Sequence, residues 1–127
     1  MEKEEIKISS IALEWSEWVP WEVFKIDLRS GRGVKVPEST GVYEAKYRES
    51  EERLTIGRTS NLRMRVKVGL VKGNIPHSAG ERIRENEDTS KIVVRWATTN
   101  KSACVEEELH DRHRRDFGGL PKYTSHT

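Results

Sequence analysis

The stretch from Thr55 to Val66, TIGRTSNLRMRV, limits the fold more than any other part of the chain. Its end, continued as RMRVKV, alternates charged and apolar residues, as a half-buried strand does. A longer pattern runs through the same residues. Thr59, Ser60 and Asn61 are all good helix N-caps. Leu62, Val66 and Leu70 then follow at four-residue spacing, the stripe of an amphipathic helix. The capped pattern spans more residues and wins. It predicts a strand ERLTIG stopped by Gly57, then a turn, then a helix. Gly69 weakens that helix by about 1 kcal/mol relative to alanine, so the helix is expected to end near it.

The neighbouring segments extend this reading. TGVYEAKY alternates, with Tyr43, Ala45 and Tyr47 on one face and Glu44 and Lys46 on the other. It forms an antiparallel hairpin with the strand before Gly57, across the charged turn RESEER. HSAGERIREN reads as a second helix and KIVVRWAT as a third strand. Ser102 caps a last helix, SACVEEELHDRHRRDF, which Gly118 and Gly119 terminate. The tail LPKYTSHT is expected to dock through Leu120 and Pro121. The order β-β-α-α-β-α gives an α+β fold, with a small three-stranded, mainly antiparallel sheet flanked by helices.

Before this lies a tryptophan-rich extension, residues 1–39, which packs on the core or mediates dimerisation; the main domain is 40–127. Residues 1–8 read as a frayed, charged start. Trp15, Trp18, Trp21 and Phe24 recur every third residue, which suits one helix face or two short helical turns separated by Pro20. These aromatics close over the core, or they stack on bases or on a second copy. Residues 27–39 read as a loop.

Net charge is only +2 over 127 residues, so the total does not mark a nucleic-acid binder. The distribution does. Arg53, Arg58, Arg63, Arg65, Lys67 and Lys72 are met by no acid between Glu52 and Glu81, a local patch attractive to polyanions. Cys104 is the only cysteine, which excludes an internal disulfide and a multi-cysteine zinc site and fits a cytoplasmic location. The charged start lacks the apolar run of a signal peptide, and no segment is long enough to cross a bilayer.

GVY at Gly41–Tyr43, TIGRTSNLRMRV, the helix ACVEEELHDRH and the closing FGGLP, in this order, resemble the signature of the GIY-YIG nuclease superfamily over residues 40–124. An arginine eight residues after Gly57 adds to the pattern. The resemblance implies a compact domain with a central three-stranded antiparallel sheet. It implies metal-dependent cleavage of nucleic-acid phosphodiesters, with DNA as the expected partner, Mg²⁺ (or Mn²⁺) as cofactor, and a monomer or homodimer as the working unit.

Carried over residue by residue, the resemblance makes Tyr43 the group that contacts or deprotonates the attacking water. Arg65 faces the scissile phosphate, where its planar fork suits the oxygens. Glu106 is the metal ligand. On a helical wheel with Val105 and Leu109 inward, Glu106 lies at the border of the buried face, Glu107 points to solvent and Glu108 lies on the other flank. Arg58 stands where many members have a lysine, and supports the site or contacts backbone phosphate. Gly57 permits close packing at the strand-to-helix turn. Arg63 and Lys67, like Thr55, support the site or bind nucleic acid, Arg63 as a surface or phosphate-backbone contact. His77 either positions phosphate and water or simply begins a helix. His110 and His113 with Glu106 imitate a metal cluster, but such a site needs ligands from elsewhere, and no second motif supplies them. Two positions depart from the family: Thr55 replaces the tyrosine of the second tripeptide, and Thr124 stands where an asparagine is common. They motivate an alternative, a non-catalytic nucleic-acid-binding module that keeps the fold.

Overall fold

The computed structural model describes residues 2–6 and 11–124. Its architecture is α+β, with two antiparallel sheets, of two and four strands. The strands are β1 (Glu2–Ile6), β2 (Ile11–Trp15), β3 (Val19–Pro20), β4 (Gly41–Tyr47), β5 (Arg53–Thr59) and β6 (Ile92–Thr98). The larger sheet has the order β3-β6-β4-β5, and β1 pairs only with β2. The expected three strands are therefore present, and the two-residue β3 adds a fourth along β6. β4 lies between its partners, with Tyr43 opposite Gly57 on β5 and opposite Trp96 on β6.

Three expectations are corrected. Glu2–Ile6 is a strand, because Ile6 is buried and because its carboxylates meet arginines distant in sequence. Burial of Ile6 contributes about 1.5–3 kcal/mol. The aromatics spaced by three do not all share one helix face, although the short helical turn expected after Pro20 is present. Trp15 ends β2 and packs with Ile6, Leu13, Val42 and Ile56. Trp21 and Phe24 sit on a short 3₁₀ turn, Trp21–Lys25, and pack with Val36, Tyr43 and Leu62. Finally, β5 runs through Gly57 to Thr59, so this glycine is a strand residue and the turn begins later.

The helix after β5 starts at Asn61. Its side-chain oxygen accepts the Met64 N–H at 3.2 Å, and its carbonyl accepts the Arg65 N–H at 3.0 Å. Arg63–Val71 is wound wider than an α-helix: the Lys72 N–H reaches the Lys67 carbonyl, five residues back, at 3.1 Å. Leu62, Val66 and Leu70 are all buried, as the stripe predicts, and Val71 joins them. Arg84 donates to the Gly69 and Leu70 carbonyls at 3.1 and 2.6 Å, satisfying the helix end. Arg84 belongs to α1 (Ser78–Asn86), and α2 (Ser102–Phe117) ends on Gly118, which is left-handed with a φ of 84°.

The tail docks mainly through Pro121 and Tyr123, with Leu120 half-buried. Residues 125–127 of the tail, and 1, 7 and 8 of the charged start, lie outside the described residues. No helix among the described residues is long and apolar enough to cross a membrane.

Candidate functional site

A polar cleft of about 140 Å³ opens beside β5, between the wide helix, α1, α2 and the tail. Tyr43, Thr55, Gly57, Arg58, Arg65, His77 and Glu106 all line it, together with Ser78, His110, Tyr123 and Thr124. The side chains reach it from β4, β5, three helical segments and the C-terminal strand of coil.

The Tyr43 ring can enter because of Gly57. The two residues are register partners, and a Cβ built on Gly57 would lie 2.5 Å from Tyr43 Cζ. Gly57 is thus required for the room it leaves, rather than for a turn. The Tyr43 Oη and His77 Nε2 are 3.0 Å apart. On the other side of the ring, His77 Nδ1 accepts the Gly80 N–H at 3.0 Å, capping α1. Burial, and the charges of Arg65 and Arg84, hold the His77 pKa down at about 4. The ring is therefore neutral at pH 7, with its single proton on Nε2, and it donates to Tyr43. His77 therefore begins a helix and, from the other side of its ring, holds the Tyr43 phenol.

Burial raises the Tyr43 pKa, and Glu106 adds to this; the nearby Arg65 opposes it without prevailing. The phenol keeps its proton at neutral pH. Its oxygen accepts from His77, and its own hydrogen points elsewhere. Arg65 donates to the Pro76 carbonyl only at 3.5 Å, so its guanidinium has most of its five donors to offer.

Glu106 sits at the border of the buried face of α2, while Glu107 is exposed. Glu108 is buried against Arg112 and Arg115. The Glu106 carboxylate meets Arg58 Nε at 3.3 Å; the side chains are 15% and 55% exposed. Among the described residues, no three His, Cys, Asp or Glu side chains cluster to hold a metal ion. A caged ion such as zinc does not fit this donor set. A hydrated Mg²⁺ does, since it takes one or two carboxylates and fills its other positions with water and substrate oxygens.

Thr55 and Thr124 lie together. Their hydroxyls are 3.3 Å apart, and Thr124 Oγ1 also accepts the Ile56 N–H at 3.0 Å. Thr124 thereby fastens the tail to the edge of β5.

Arg63 and Lys67 lie outside the cleft. Arg63 donates to the Val36 carbonyl at 3.0 Å and pairs with Glu38 at 3.4 Å. Lys67 is buried, and its ammonium reaches the Val34 carbonyl at 3.4 Å. Both fasten the 34–38 loop. His113 is likewise structural: it accepts the Arg53 N–H at 3.2 Å and donates to the Gly119 carbonyl at 2.6 Å. Sequence reasoning missed Tyr123 and Ser78 as cleft residues. No local pattern marks them, because each is placed by partners far along the chain.

Comparison of the chain with protein-family models, with curated proteins and with solved structures gives no match.

Proposed function

We propose that the cleft hydrolyses phosphodiester bonds of nucleic acid, with DNA as substrate and one Mg²⁺ or Mn²⁺ ion as cofactor, in the manner of the GIY-YIG nucleases the sequence resembles. The observation that carries this is convergence. Tyr43, Arg58, Arg65, His77 and Glu106 come from distant parts of the chain and line one small polar cleft. The three seven-residue strands β6-β4-β5 beneath it also suit the resemblance.

The reaction adds water across a P–O bond: the hydroxyl goes to phosphorus, and a proton goes to the leaving oxygen. Arg65, whose guanidinium keeps donors to spare beside the Pro76 carbonyl and the Tyr43 phenol, binds the non-bridging oxygens as charge builds on them. Arg58 turns from Glu106 to a neighbouring phosphate when substrate enters. The neutral Tyr43 phenol, oriented by His77, positions the attacking water rather than serving as a free-standing base. Glu106 would hold the ion, which when bound supplies Lewis-acid stabilisation of the departing oxygen.

The purified protein with Mg²⁺ should nick plasmid, single-stranded or branched DNA. Glu106→Ala should lower the rate by about a thousandfold, roughly 4 kcal/mol of transition-state stabilisation. Metal-dependent cutting that survives both Glu106→Ala and Glu106→Gln overturns the assignment.

The Thr55–Thr124 contact favours a second reading. Hydroxyls stand where the family has tyrosine and asparagine, and they serve to close the tail. A binding module of this kind would hold DNA in a salt-sensitive manner, because phosphate contacts release counterions, and would cut with no divalent ion. Turnover that depends on Arg65 decides against it.

A further inference from the structure

Glu87 lies outside the cleft, just past the end of α1, yet three donors from two other parts of the chain converge on its carboxylate. The Tyr47 hydroxyl at the end of β4 donates to Oε1. The Tyr123 hydroxyl donates to Oε2 at 2.5 Å, and the Lys122 ammonium at 2.8 Å. The Glu87 side chain is 10% exposed. A carboxylate has about four lone-pair positions, and three are taken here by groups with no other acceptor of comparable geometry among the described residues.

The tail held by this carboxylate is the tail that completes the cleft. The Tyr123 N–H donates to the Leu54 carbonyl at 2.9 Å, and Thr124 Oγ1 accepts from Ile56. Both bonds lie on β5, the outer strand of its sheet. Tyr123 and Thr124 line the cleft beside Tyr43 and Arg65. Backbone and hydroxyl contacts alone tie the tail to one sheet edge. The clasp adds a buried anchor on the far side of Tyr123.

We propose that Glu87 is a positioning residue: it clasps Tyr123 and Lys122 so that Tyr123 and Thr124 form a fixed wall of the cleft. The catalytic part of this inference rests on the proposed nuclease reading; the clasp itself does not. Of the three contacts, the two phenols carry most of the effect. Lys122 is 63% exposed, and an ion pair with such a partner contributes little. Hydrogen bonds from Lys122, Tyr123 and Tyr47 together hold the Glu87 pKa down at about 2, so the clasp stays closed through the neutral range.

The test uses the whole chain with Glu87→Gln, whose amide can accept from one phenol but not from all three donors, beside Lys122→Ala. Amide hydrogen exchange is read residue by residue. The Ile56 and Tyr123 amides should lose about tenfold or more of their protection in Glu87→Gln, with β4 and α2 unchanged and Lys122→Ala close to wild type. With DNA and Mg²⁺, kcat should fall about tenfold or more while KM stays nearly constant, as expected for a displaced cleft wall. Unchanged protection at Ile56 and Tyr123 overturns the clasp. Protection lost evenly across the sheet also overturns it, because Glu87 would then hold the fold and not the tail. A wild-type chain that cuts nothing removes the nuclease reading and leaves the exchange result to decide the clasp. Cutting by Glu87→Gln at the wild-type rate, with the tail amides deprotected, removes the positioning role.

Discussion

Two groups of charges on the larger sheet are held in opposite ways. Away from the cleft, Glu44 is 2% exposed and is gripped by Arg95 at 2.8 Å and Arg53 at 3.1 Å. The Arg95 guanidinium lies 3.9 Å from the Trp15 ring and 4.5 Å from that of Trp18, and Glu2 closes the set at 2.6 Å. In the cleft, Arg65 has a long bond to the Pro76 carbonyl and a contact with the Tyr43 phenol, and Arg58 and Glu106 meet at 3.3 Å on an open wall. Charges that satisfy one another hold the fold, and their removal leaves buried partners stranded. Charges left under-satisfied at a wall are free to meet a ligand. Stabilising charges and charges open to a ligand therefore form separate groups in this molecule.

Paired substitutions in the two groups test this separation with the largest effect. Glu44→Ala should cost about 3–5 kcal/mol, because Arg95 keeps its buried charge and loses its inner partner. Arg65→Ala should stay within about 0.5 kcal/mol of wild type in urea unfolding, yet lower the cleavage rate by about 10²–10³. Equal stability losses at the two positions would collapse the distinction.

Acid titration sharpens it next. From pH 6.5 down to about 4, the unfolded chain takes a proton on His77 that the folded chain refuses. Unfolded binds more protons there, so stability falls as pH drops through this window, and His77 adds no further loss below it. Glu87 acts lower: its folded pKa of about 2, against 4.5, gives stability that is lost between those values. Denaturant midpoints across pH should show the upper step vanish in His77→Gln while the lower one remains.

The smallest expected effect separates two arginines within the basic patch. Arg58→Ala should reduce the slope of log K against log salt for DNA binding by about 1, and Arg63→Ala should leave it unchanged. Arg63 is already committed to the Val36 carbonyl and Glu38.

From Gly41 to Phe117 the elements were legible, because each carries its own period and its own stop. The Leu62, Val66, Leu70 stripe and the Asn61 cap are local signals, and they hold in the structure. The N-terminal hairpin was not legible. EKEEI has one apolar residue, and its other anchors, Arg95 and Arg112, lie some ninety or more positions away. The same limit governs the site. Seven of the nine site residues named from sequence line the cleft. Arg63 and Lys67 do not, because loop carbonyls at Val36 and Val34 claim them, and composition carries no trace of a backbone acceptor. Gly57 was legible as a necessary glycine, but its reason, the phenol of Tyr43, belongs to the partner strand.

The wide winding of Arg63–Val71 has a consequence for how such a cleft can diversify. A wider turn accommodates one residue more than an α-helix of the same length, and each residue in an α-helix rotates those beyond it by about 100°. A chain one codon shorter in this segment could rewind to ordinary pitch, keep an apolar stripe against the core, and present a different side chain to the cleft where Arg65 now stands. Length variation there, more than point substitution, is the route by which this scaffold could exchange one anion-facing group for another without rebuilding its interior.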